Sequence, residues 1–177
     1  PMFHYKDFYA AAFNIRPGNK HFNDSNNQII RLWYDFIMRN KRKSEIGVKN
    51  IFSYDKWLRL EGESSQYGNL LKYLNYIFKD GNAKFPDTEN IKAEDISPGD
   101  IFMSGNIYDK AAVVYDVAED KSSGKKIVML AQGSKNIPGI HLLINPSDAL
   151  LKTWFDIDRT IYTPEGTYDK NDLKRFK

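Results

Sequence analysis

The chain has 177 residues, the size of one ordinary domain. It is 41% hydrophobic and 14% aromatic, enough apolar surface to offset the entropy of ordering, which excludes a disordered chain. The absence of cysteine excludes disulfides, thiolate catalysis and thiolate zinc sites, and a net charge of +3 is below that of a dedicated nucleic-acid binder.

Taken in chain order, Phe8–Ile15 reads as a strand that ends at the turn residues Arg16-Pro17-Gly18-Asn19. A helix follows, with Ile29, Ile30, Leu32, Trp33, Phe36 and Ile37 on one wide apolar face. Its start is Ser25-Asn26-Asn27-Gln28, the S-x-x-Q form of a capping box, and it should end near Asn40. The basic run Arg39–Lys43 falls at that end, where cations favour the helix dipole. Val48–Tyr54 reads as a short strand, Glu61–Tyr67 as a loop and Gly68–Lys79 as a second helix closed by Asp80-Gly81. Asn82–Glu94 reads as a connector.

Ile101–Met103, Ala111–Ala118, Lys126–Ala131 and Ile140–Ile144 are short β-type runs, and a meandering antiparallel sheet is their natural arrangement. Asp148–Trp154 is expected to be a short helix, Ile161-Tyr162-Thr163 an edge strand, and Lys170–Phe176 a final helical turn or two. Helices first and a sheet afterwards predict an α+β architecture in a single domain over residues 1–177. No apolar run is long enough to span a bilayer. The chain opens on Pro1, which is not a natural initiator, so an upstream leader or domain is expected.

Ser97-Pro98-Gly99-Asp100-Ile101-Phe102, followed by Ala111-Ala112-Val113-Val114-Tyr115, resembles a signature of papain-like bacterial amidases, the CHAP and NlpC-type cell-wall hydrolases. A bacterial family of unknown function, often exported or lipid-anchored, is also similar. That similarity runs through Val113–Glu119, Leu130-Ala131-Gln132, Ile140–Pro146 and Ile161–Glu165, and earlier through Ile29–Leu32 and Tyr54–Trp57. The resemblance implies a papain-like fold, a peptide or peptidoglycan-like amide as ligand, and the bacterial cell envelope or exterior as location. In such enzymes a cysteine opens the first helix and a histidine opens the second strand; here these positions hold Ser25 and Lys110.

The resemblance makes Ser25, Lys110 and Gln132 the catalytic candidates. A serine at a helix start is by itself an N-cap worth about 1 kcal/mol, and becomes a nucleophile only beside a base such as a desolvated Lys110. Gln132 stands where a polar residue orients the histidine, and could hold an amide or carbonyl. His141, Ser134, Tyr108, Asp109 and Trp57 are candidate ligand-binding residues. For His141 the competing expectation is an imidazole hydrogen-bonded to a neighbouring loop; for Trp57, Trp154 and Tyr162 it is a place in the core. Asp100 is expected to organise its Pro-Gly turn. With no H-x-x-H, P-loop, G-x-G-x-x-G or G-x-S-x-G pattern, neither a metal nor another cofactor is expected. The expectation is a catalytically degenerate amidase-like domain that binds in a helix/sheet cleft. An active Ser/Lys amidohydrolase and a protein-interaction module stand as the alternatives.

Overall fold

A computed structural model describes residues 8–13, 25–40, 53–61, 66–79, 87–104, 110–134, 137 and 139–177. Strand β1 (Tyr9–Ala12) precedes three helices: α1 (Ser25–Arg39), α2 (Tyr54–Glu61) and α3 (Gln66–Lys79). Then come β2 (Thr88–Asn90), β3 (Ile101–Met103), β4 (Ala111–Glu119), β5 (Lys126–Gly133), β6 (Ile140–Leu143), β7 (Trp154–Asp156), β8 (Ile161–Tyr162), β9 (Thr167–Tyr168) and β10 (Leu173–Phe176). The order in the main sheet is β1-β6-β5-β4-β3-β10-β2, all antiparallel, with β7 on β5 beyond β6. The protein is therefore α+β, with a β3-β4-β5-β6 meander at the centre of its sheet.

Helix α1 is the middle layer. Ile30, Tyr34 and Ile37, spaced by four and three residues, pack on Tyr54, Trp57, Leu70, Tyr73, Leu74 and Ile77 of α2 and α3. One residue round the helix, Ile29 and Trp33 pack on Ile101, Met103, Ala111 and Phe176 of the sheet. Strand alternation sends Phe102, Ala112, Val114, Leu130 and Leu143 to the opposite sheet face, where Ile161 and Tyr168 of the β8–β9 hairpin cover them. The sheet is thus buried on both faces, by helices on one side and a hairpin on the other.

Several expectations are corrected. Tyr54–Glu61 is a helix, not the end of a strand: Tyr54, Trp57 and Leu58 have helical spacing, and the Ser53 hydroxyl accepts from Lys56 N at 3.4 Å. The connector contains an edge strand, β2. The tail is a single 3-10 turn, Lys170–Asp172, capped by Asp169, and then a strand that enters the sheet between β3 and β2. Asp148–Trp154 is not helical. Asp148 Oδ1 accepts from Leu150 N and Leu151 N, Asn145 N donates to Lys152 O, and the chain returns to the edge of β5 as β7. Ile161–Tyr162 pairs with Thr167–Tyr168 in a separate hairpin, which leaves Tyr162 53% exposed rather than in the core. The expected strand at 48–52 and the expected cap at Asp80-Gly81 lie outside the described residues, as do Lys41–Lys43 of the basic run.

Candidate functional site

A groove runs along the flank of α1, between the helix and the strands β4 and β10. Its volume is about 380 Å³, and it is walled by Ile29, Trp33 and Phe36 of α1, Val113 of β4, Phe176 of β10 and the turn Ser97–Asp100. Three rings form a nearly parallel array in it. Trp33 stacks on Phe176 at 4.6 Å and 22°, and on Phe36 at 5.7 Å and 23°. Phe36, 49% exposed, stands at the rim. The sequence places Trp33 and Phe36 on the wide apolar face of α1. The α2–α3 pair covers one part of that face and the sheet another, and Trp33 and Phe36 also wall the groove.

The far wall is polar and fully organised. Asp100 N donates to Ser97 O at 3.2 Å, and Gly99 at φ +95° supplies the left-handed corner that a turn with proline at its second position requires. The Asp100 carboxylate is 1% exposed. Its Oδ1 accepts from Arg175 Nε at 2.7 Å; its Oδ2 accepts from Arg175 Nη2 at 2.9 Å, Ser97 N at 2.7 Å and Ser97 Oγ at 3.3 Å. Arg175 Nη2 also donates to Ser97 Oγ and to Asp95 O, both at 2.9 Å. Asp100 therefore organises its turn, as expected from the sequence, and a buried charge is satisfied bidentately. The hydrogen bonds and charge of Asp100 hold the Arg175 pKa above its ordinary value, with Asp95 and Glu89 adding to that attraction. Among the described residues, Arg175 Nη1 has no hydrogen-bond partner.

The sequence candidates gather elsewhere. Gln132 and His141 are cross-strand partners on β5 and β6, and both point to the hairpin side of the sheet, away from α1. Gln132, 1% exposed, donates through Nε2 to Ala111 O at 3.1 Å and to Tyr168 Oη at 2.9 Å. Those two acceptors fix the orientation of its amide and leave Oε1 buried without a partner among the described residues. His141, 6% exposed, has its ring 4.7 Å from that of Tyr9, and its Nε2 is also buried without a partner among the described residues. The hydrogen bond to a loop expected for this imidazole is absent among the described residues. Lys110 is exposed and lies along the hairpin turn, where the Cβ position of Gly166 is 2.9 Å from Lys110 Cδ. Burial pushes the Tyr168 phenol well above its ordinary pKa, against the pull of its hydrogen bonds to Thr163 and Gln132.

Ser134 is fully buried just after β5. Ser25 is the first residue of α1, and its side chain lies outside the described residues, as do Tyr108 and Asp109 entirely. Trp57 is 7% exposed among Tyr54 and Tyr73 in the helical cluster, the core placement that was its competing expectation. The groove residues Trp33, Phe36, Arg175 and Phe176 were not singled out from the sequence. Two signals bore on them: an apolar helix face wider than one contact surface needs, and a buried-type aspartate after Pro-Gly that requires a cationic partner. Among the described residues, no cluster of histidine, aspartate and glutamate could hold a metal ion, and no helix is long and apolar enough to cross a membrane.

The fold and site define an α+β domain with an aromatic groove between a helix layer and an antiparallel sheet. Residues 47–175 match the family described as Domain of unknown function (4846), and the chain belongs to that family. The matched span takes in β2 to β9, most of β10 and the Asp100–Arg175 pair; β1 and α1, which supplies Trp33 and Phe36, precede it. No curated protein and no solved structure matches the chain.

Proposed function

We propose that this chain is a papain-like amidase-related domain that no longer hydrolyses amides and acts by binding a peptide or peptidoglycan-like amide beside α1. The observation that carries this reading is the groove: about 380 Å³ of largely apolar space with a few convergent polar groups at one end. Two further features favour binding over catalysis. Gln132 commits its amide N–H groups to Ala111 O and Tyr168 Oη, so it is held as a structural strut. It also points to the sheet face opposite α1, the helix that Ser25 opens. A serine hydroxyl without an adjacent base is a weak nucleophile even at a helix start. A domain of this kind belongs to the bacterial cell envelope or exterior, where such amides are found.

The test is turnover. The protein and its Ser25→Ala variant are incubated with soluble peptidoglycan fragments and with model peptide amides, and the products are read by mass spectrometry. No cleavage by either protein is expected. Cleavage by the parent that disappears in a folded Ser25→Ala variant would establish a serine hydrolase instead.

A further inference from the structure

We propose that the groove beside α1 takes the peptide part of such a ligand: an uncharged segment whose bulky apolar side chain lies along Phe176, Trp33 and Phe36, and whose backbone carbonyl accepts from Arg175 Nη1. This rests on the binding reading above and narrows it to one chemistry.

The aromatic array selects the side chain. The three rings stack one on the next, with adjacent planes 22° and 23° apart, and Ile29 and Val113 line the same apolar space. Burying apolar surface there is favourable in proportion to area, and an aromatic or branched aliphatic group fills it best. A charged side chain would lose its hydration with nothing on the wall to replace it.

The polar end selects the backbone. Asp100 Oδ1 and Oδ2 and Ser97 Oγ are all engaged within the turn. Arg175 Nη1 is what remains, and it can donate. Its positive charge is already balanced by Asp100 in contact, with Asp95 and Glu89 nearby. An incoming carboxylate would meet that negative surround, whereas a neutral carbonyl accepts the hydrogen bond without the repulsion. One donor also argues against a sugar. A saccharide brings several hydroxyl groups, each of which would be desolvated against the rings, and Arg175 Nη1 is the one side-chain donor at the polar end left without a bond among the described residues.

The test compares acetyl-Ala-Phe-Ala-amide, acetyl-Ala-Asp-Ala-amide and an N-acetylglucosamine disaccharide by calorimetry and by the indole N–H resonance of Trp33. The Phe peptide is expected to bind and shift that resonance, with the Asp peptide and the disaccharide at least about tenfold weaker. Phe36→Asp, at a half-exposed position that tolerates a polar residue, is expected to abolish binding with the fold intact. Arg175→Lys keeps the charge against Asp100 but removes the planar fork, and is expected to weaken the Phe peptide about tenfold. The proposal is overturned if the Asp peptide or the disaccharide binds as tightly as the Phe peptide, or if Phe36→Asp binds unchanged. A peptidoglycan fragment that shifts Trp33 while the Phe peptide does not would remove the apolar specificity and leave the binding reading standing. If neither ligand binds, both are lost.

Discussion

Trp33 of α1 stacks on Phe176, next to the last residue of the chain, with ring centroids 4.6 Å apart and planes 22° apart. The contact joins the helix layer to a strand formed by the C-terminal residues. Phe176 is 8% exposed and touches the same cluster as Ile29, Ile101 and Met103. Phe176→Ala should therefore cost about 3 kcal/mol in urea denaturation, the usual loss for truncating a buried aromatic ring. A change below about 1 kcal/mol would mean that α1 docks without this ring.

Asp100 and Arg175 are 75 positions apart and form the shortest ion pair among the described residues, 2.7 Å, with two guanidinium nitrogens on one buried carboxylate. Asp100→Asn keeps the shape and removes the charge. It should destabilise by roughly 2–3 kcal/mol, because Arg175 loses charge-assisted bonds and the turn loses an acceptor. Equilibrium unfolding of the variant checks this. Arg175→Lys should cost less, since an ammonium can still reach the carboxylate.

The same pair shows how far the sequence could be read. Pro98-Gly99-Asp100 announces a turn whose aspartate serves the turn, and the structure bears that out. Arg175 was hidden because Lys170–Phe176 is too short and too charged to show period-2 alternation, and only the pairing with β3 and β2 makes it a strand. The meander over residues 101–143 was legible because its apolar runs are separated by polar turns. Helix α2 was missed because eight residues carry little periodic signal, and its apolar positions follow directly on another apolar run. The site was less legible than the fold. Gln132 and His141 were correctly placed on adjacent strands, yet which sheet face α1 covers is a tertiary fact that no local pattern encodes. The groove arises from that choice of face.

Gly99 has φ +95° with open space where a Cβ would stand. Gly99→Ala therefore meets no clash, and its cost is conformational alone. The expected loss is about 1–2 kcal/mol, with an unchanged fold and a weakened Asp100–Arg175 contact. A neutral or stabilising effect on thermal unfolding would show that the turn tolerates another geometry.

Burial raises the phenol pKa of Tyr34, Tyr73 and Tyr168, that of Tyr73 to about 12. A raised folded-state value means that the neutral form is favoured by folding. This contribution is complete below the unfolded value of about 10, and is lost as pH rises through the folded-state values. Phenolate absorbance should show these three ionising late, together with the loss of secondary structure. Titration of all eleven tyrosines near pH 10 with the fold intact would contradict the packing described for α1–α3 and β9.

The binding account is tested most directly by mapping backbone and side-chain resonances while a soluble peptidoglycan peptide is titrated into the full chain. The account predicts shifts at Trp33, Phe36, Val113 and Phe176, with Gln132 and His141 unmoved on the other sheet face. Shifts concentrated at Gln132, His141 and Lys110, with the α1 groove silent, would contradict it.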